Sequence, residues 1–305
     1  MFVKVLGSAA GGGFPQWNCN CPNCRGVRGD HRFYRARTHN SLAVSDDGKA
    51  WVLFNATPDI HAQIVSHGEL QPDGKVRGTP IFAVLLTDAE LDHTIGLLHL
   101  RESAEIEVYA ASPVLRALEG PFPIRQMLGP YAAFTWSEVK LNESFPLFGG
   151  RLIIHPFYLG GKPPRYAADP DKKEPGALSP WVIGYRIEDQ RTGGSVVYAP
   201  GVESWTDELD RHSENADCIL MDGTFWQSDE LNTLGISELK ASDMGHLPIA
   251  GPGGSLERLA NLSAGRKIYV HINNTNPILH EDSSENRCLK ALGIEVGYDG
   301  LELEV

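Results

Sequence analysis

The sequence predicts an α/β protein built from mixed sheets flanked by helices, and three observations carry that prediction. Short runs rich in Val, Ile, Leu and aromatics, bounded by Gly, Pro, Asp or Asn, recur along the chain and read as strands. Segments with helix start signals fall between them, which is the alternation of an α/β chain. The turn at residues 189–194 (DQRTGG) joins two strand-like runs directly, so at least one neighbouring pair is antiparallel and the sheets are mixed.

The predicted strands cover residues 2–6, 41–44, 51–54, 82–86, 106–109, 151–154, 181–187, 196–199, 217–221 and 267–271. Helices are predicted over 60–66 behind Pro58-Asp59, in the segment after Asp92, and over 114–118, where Ser112 and Pro113 supply an N-cap and a first-turn proline. Two more follow at 207–212 and at 256–262, behind Gly253-Gly254-Ser255. Residues 160–177 (GGKPPRYAADPDKKEPGA) are rich in Pro, Gly and charge. Apolar strands resume on both sides without a change of character, so this segment reads as a long loop over an active site, not a linker. No repeat or low-complexity tract interrupts the pattern, and the chain is read as a single domain, residues 1–305.

A chain of 305 residues with 42% hydrophobic residues can bury a substantial core. Its 27 Lys and Arg against 39 Asp and Glu leave a net charge of −12, which argues against nucleic acid and anionic membranes as partners. No window approaches the ~20 apolar residues of a membrane helix, and MFVKVLGSAAGGG lacks the pattern of a secretory leader. The expectation is a soluble, cytoplasmic protein.

Three of the five cysteines, Cys19, Cys21 and Cys24, fall within six residues. In a chain without a leader such crowding points to a metal and not to disulfides. Three thiolates at this spacing can wrap one soft cation with Zn–S near ~2.3 Å, and a structural zinc needs a fourth ligand. His31 and Asn274 are the candidates. An iron–sulfur cluster asks for four cysteines, whereas Cys218 and Cys288 sit in a strand-like and a helix-like context. Zinc is the favoured reading.

A second concentration of donor groups is TDAELDHTIGL at residues 87–97, directly after an apolar strand. Alone, it reads equally well as an acidic first turn that complements a helix dipole. Asp222 closes another strand-like run (CILM), and His271 closes a third (KIYVH). Ligand-type side chains at three separate strand ends are explained by a metal centre and not by packing.

Residues 86–97 resemble the signature of the metallo-β-lactamase superfamily, Thr then His-x-His-x-Asp-His followed by Gly and Leu. Asp92 and His93 match it; Asp222 in MDGTF resembles the bridging aspartate, His271 the last histidine, and Gly245-His246 a glycine–histidine loop of some branches. The N-terminal LGSAAGGGFPQWNCNCPNC and the closing VGYDGLELEV are similar to the PQQ synthesis protein B family within that superfamily. The resemblance implies a metallo-β-lactamase-like αββα sandwich of two mixed sheets flanked by helices. The departures are informative: Asp88 and Glu90 stand where the first two histidines belong, and no histidine appears around residues 156–162. His155 is read as a core histidine on a strand. The three-histidine zinc site is therefore absent or rebuilt.

What the resemblance implies for function is a step in pyrroloquinoline quinone (PQQ) biosynthesis, the O₂-dependent hydroxylation of the tyrosine ring of a peptide-derived Glu–Tyr precursor. Asp92, His93, Asp222 and His271 would hold an active-site iron(II), or zinc, because such oxygen-rich sets accept iron readily. Glu90 would add a ligand or proton acceptor and Asp88 would orient a neighbour, while Lys162, Arg165 and His246 would bind the substrate. A metal-dependent hydrolase and a carrier that delivers PQQ or a precursor for export are the alternatives. Other proteins of the PQQ pathway and a second copy of the chain are the partners it admits.

Overall fold

The computed structural model describes residues 1–29, 32–74, 76–102, 105–168 and 179–305. His31, a candidate zinc ligand, and residues 169–177 of the expected loop lie outside them. The first sheet contains β1 (Phe2–Gly7), β2 (Ser41–Ser45), β3 (Trp51–Phe54), β4 (Ile81–Leu85), β5 (Glu105–Ala111) and β6 (Ala133–Val139). The second contains β7 (Phe145–Leu147), β8 (Leu152–Gly160), β9 (Val182–Asp189), β10 (Ser195–Ala199), β11 (Cys218–Asp222), β12 (Arg266–Val270) and β13 (Ile294–Val296). The last strand, β14 (Leu301–Glu304), returns to the first sheet beside β1. Around them run α1 (Pro22–Gly29), α2 (Ile60–Val65), α3 (Leu91–Thr94), α4 (Ser112–Ala117), α5 (Ile124–Leu128), α6 (Asp207–Ser213), α7 (Glu230–Thr233), α8 (Ser255–Asn261) and α9 (Ser284–Ala291).

Each sheet is half antiparallel and half parallel. In the first, β14, β1, β2 and β3 pair antiparallel, and β3 to β6 run parallel. In the second, β7 to β10 pair antiparallel, and β10 to β13 run parallel. This is the expected sandwich of two mixed sheets. The β9–β10 hairpin falls where DQRTGG predicted it, with Gly193 N–H donating to Asp189 O at 2.8 Å.

Side chains alternate along β11 between two cores: Cys218 and Leu220 face the core shared by the two sheets, with Val44, Ile154 and Ile187. Ile219 and Met221 face the other way, against Leu209 of α6, Leu259 of α8 and Leu289 of α9. Both faces of the strand are thus dry, which is why CILM is an unbroken apolar run.

The strands missing from the sequence reading are those that face water or are very short. Exposed and partly buried positions alternate along β6, and β14 alternates buried Leu with exposed Glu. Strand β8 continues to Gly160, beyond the expected 154, through Pro156. Pro156 lies past Ile154, the last residue paired with β7, so its missing N–H breaks no ladder bond there. Among the described residues no helix is long and apolar enough to cross a membrane.

Candidate metal centre

The parallel halves of the sheets bring the C-terminal ends of β4, β11 and β12 together, and the donor-rich segments emerge there. After β4 the chain turns into α3, and Gly96 lets it close tightly. A Cβ at Gly96 would lie 2.1 Å from Thr57 O, while its N–H donates to Ala56 O at 2.9 Å. Asp92 and His93 are thereby held against β3 and face His271, which follows β12. His271 adopts φ 53°, an uncommon conformation for a residue with a side chain. Thr224 Oγ1 lies 2.9 Å from His271 O, and the backbone is pinned by Ile272 N–H donating to Ser8 O at 2.9 Å.

Asp92 Oδ2 lies 3.6 Å from His93 Nε2 and 3.5 Å from His271 Nε2. Donors held about 2.0–2.2 Å from one ion in a tetrahedral array are about 3.3–3.6 Å apart. His93 Nε2 is buried and has no hydrogen-bond partner among the described residues, as a nitrogen reserved for a metal would be. Its other nitrogen, Nδ1, lies 2.7 Å from Asp88 Oδ2, the carboxylate–imidazole pairing that orients metal-binding histidines. Asp88 is fixed in turn by Thr87 Oγ1 at 2.7 Å and by Glu90 N–H at 2.9 Å. The donor set therefore fits a divalent cation.

Electrostatics agree. Burial pulls the His93 imidazole down, but Asp88 and Asp92 outweigh it and raise it to about 9. Burial pushes Asp92 up, and His93 and His271 reverse this and hold it far below the usual carboxylate range. The pocket thus concentrates negative charge around nitrogen donors, and a cation satisfies both.

Asp222 occupies a neighbouring position. It groups with His246 and His271, whereas Asp92 and His93 group with His271. Its carboxylate accepts from Val202 N–H (2.8 Å), Thr224 N–H (2.9 Å) and Thr224 Oγ1 (2.6 Å), and its Oδ2 lies 2.7 Å from His246 Nδ1. Through these bonds Asp222 orients His246 and Thr224. The expected set of four donors is thus divided between two neighbouring groups that share His271.

Asp88, Asp92, His93 and His271 line a cavity of about 600 Å³. Glu90, Lys162, Arg165 and His246 all open onto it, joined by Gln16, Glu203, Phe225 and Met244, which the sequence reading did not single out. Glu90 stands at its mouth, where surrounding protein and then Asp88 and Asp92 push it up to about 7. Burial lowers Lys162, against the pull of Glu90 and Glu203. His155 is remote: partly exposed on β8, it pairs with Glu188 at 3.2 Å and is not a core residue. His39, also missed, lies 2.6 Å from Asp59 and raises a second imidazole–carboxylate pair beside the Asp92 field.

The cysteine cluster lies on the other side of the segment that carries His271. Cys19, Cys21 and Cys24 bring their sulfurs together, Cys24 from the first turn of α1. The side-chain amide of Asn274 lies 3.2, 3.5 and 3.3 Å from the three sulfurs and closes the fourth face. Burial pushes the Cys24 thiol up to about 12, with Cys21 and Cys19 adding to the shift. Three bare thiolates at this spacing repel one another; a zinc ion, with the Asn274 amide oxygen turned inward, would remove that repulsion.

Residues 50–272 match the model of the beta-lactamase superfamily domain. The chain is 43% identical, over 307 aligned residues covering all of both proteins, to coenzyme PQQ synthesis protein B of Pseudomonas savastanoi pv. phaseolicola, and equally so to that of Pseudomonas entomophila. Among solved structures, Zn(2+)-bound PqqB from Methylobacterium extorquens superposes with a TM-score of 0.91 at 38% identity, covering 100% of each chain. A diphosphatase of the PhnP family, at 22% identity and a TM-score of 0.69 over 100% of this chain and 96% of its own, shares the fold. With a superfamily domain over most of its length and full-length relatives well above the threshold of chance, the chain belongs to the coenzyme PQQ synthesis protein B family of the metallo-β-lactamase superfamily.

Proposed function

We propose that this protein acts in PQQ biosynthesis as a metal-dependent hydroxylase of the tyrosine ring in a peptide-derived Glu–Tyr precursor. The observation that carries this reading is the face formed by Asp92, His93 and His271, two imidazoles and one carboxylate with the remaining directions open to the cavity. Such a triad is the donor set of non-haem iron(II) oxygenases, and when bound the iron would supply the activation of O₂.

The protein's own groups do the rest. Asp88 fixes the His93 ring and its tautomer. Lys162 and Arg165 pair with substrate carboxylates. Glu90, facing the same cavity, accepts the proton that the ring loses on hydroxylation. Phe225 and Met244 give the ring an apolar wall. The hydrolase alternative would use Asp222, His246 and His271 as a second metal position.

One oxygen atom of O₂ enters the ring and the other leaves as water, which takes two electrons and two protons from an added reductant; the test is to load anaerobically purified protein with Fe(II) and supply ¹⁸O₂, ascorbate as that reductant and a Glu–Tyr peptide. Label in a catechol product is expected. Label arriving only from H₂¹⁸O in a cleaved product would mark a hydrolase, and tight binding without turnover would mark a carrier.

A further inference from the structure

The metal cavity continues into a second one. The adjoining space, about 640 Å³, shares Gln16, Phe225, Met244 and Asn273 with it as a common wall. The two halves differ in chemistry. Acids, cations and imidazoles crowd the first, whereas no Asp, Glu, Lys, Arg or His among the described residues lines the second.

One side of it is the cysteine site, through Cys19, Cys21 and Asn274, and the far side is aliphatic: Leu231, Leu234 and Ile236, the last two 39% and 50% exposed. Single exposed aliphatics are ordinary, but three converging on one concavity beside a reactive centre form a surface that gains by being covered. The turn that presents them is fixed, with Ile236 N–H donating to Leu231 O at 2.9 Å and Gly235 at φ 65°. Gln16 Nε2 donates to Asn18 Oδ1 at 2.7 Å and Asn273 Nδ2 to Thr275 Oγ1 at 2.5 Å, which holds both amides in place opposite the aliphatic face.

We propose that this second cavity is a subsite for an apolar residue next to the reacting tyrosine, so that the substrate is a longer peptide than the Glu–Tyr unit alone. The inference rests on the reading of the metal cavity as a peptide-derived substrate site. Continuity selects the occupant: a chain seated with its carboxylates at Lys162 and Arg165 and its ring at Phe225 meets the shared wall, beyond which lie Leu234 and Ile236.

Affinities of zinc-loaded protein for Glu-Tyr, Glu-Tyr-Leu, Glu-Tyr-Gly, Leu-Glu-Tyr and Gly-Glu-Tyr, measured by titration calorimetry, test it. One of the Leu peptides should bind about tenfold tighter than its Gly counterpart, the scale of burying one aliphatic side chain. The double variant Leu234→Asp, Ile236→Asp should lose that preference and keep its affinity for Glu-Tyr within about twofold of the parent. Both positions are exposed, and Ile236→Ser provides a milder variant with the same expected direction. Glu-Tyr binding with no preference for Leu over Gly overturns the subsite alone, leaving the metal-cavity reading intact. A preference that survives in both variants also overturns it. If the double variant instead converts a dimer to a monomer in light scattering with peptide affinities unchanged, the surface is an interface between copies and the subsite is excluded.

Discussion

The cysteine cluster and the histidine–carboxylate face hang on one short segment, with Asn274 and His271 three residues apart, yet they are assembled in opposite ways. Three of the four cysteine-site donors come from six consecutive residues, so the site is nearly complete once a loop and the first turn of α1 have formed. The other face is built across the sandwich, from the end of β4 in one sheet and the end of β12 in the other. The first is a local device that ties the N-terminal loop to residues 273–276; Asn23 Nδ2 reinforces it, donating to Asn274 O at 3.1 Å and Asn276 O at 2.9 Å. The second exists only when both sheets are packed. A local site suits stability, and a distributed one suits chemistry between two rigid walls.

The largest effect should come from breaking the local site. Replacing Cys19, Cys21 and Cys24 with Ser should release about one zinc per chain and lower the melting temperature by about 10 °C or more, because a structural ion's binding energy is folding energy. Metal analysis and thermal unfolding check this; unchanged metal content would show that the cysteines are only neighbours. Breaking the distributed site should act differently. His93→Ala and His271→Ala should each remove the second metal and all turnover while the cysteine-bound zinc and most of the thermal stability remain. Equal loss of both metals would mean that the two sites fold as one unit.

A smaller effect sharpens the roles within the distributed site. Asp88→Asn keeps a hydrogen-bonding side chain beside His93 Nδ1 but removes its charge, and should lower metal affinity or turnover by about 10–100-fold. Competition with a chelator measures it, and an effect as large as that of His93→Ala would make Asp88 a ligand.

The smallest concerns neither site and calibrates both. His212 stacks on Phe157 with ring centroids 4.4 Å apart; burial, with help from neighbouring cations, holds it down at about 4. A depressed folded-state value means that its contribution is intact above about 6.5, the value in the unfolded chain, and is lost as pH falls toward about 4. His212→Gln should therefore flatten the melting-temperature profile over that window in metal-saturated protein. A profile as steep as the parent's would assign the acid sensitivity to the metal sites.

The same division governs what could be read in advance. The sequence by itself determined the cysteine cluster, the apolar strands of the interior and the placement of Asp92, His93, Asp222 and His271 at strand ends, because spacing and periodicity are properties of neighbouring residues. It left β6 and β14 unread, since a strand with one wet face carries little apolar signal. Only the tertiary structure decided which donors share a point. Val202, which lies after β10, and the Thr224 and His246 groups bond to the oxygens of Asp222, whereas His93 Nε2 is left bare among the described residues, opposite Asp92 and His271. How a carboxylate is oriented depends on which hydrogen-bond donors reach it, and those donors arrive from segments that become neighbours only when the sheets pack.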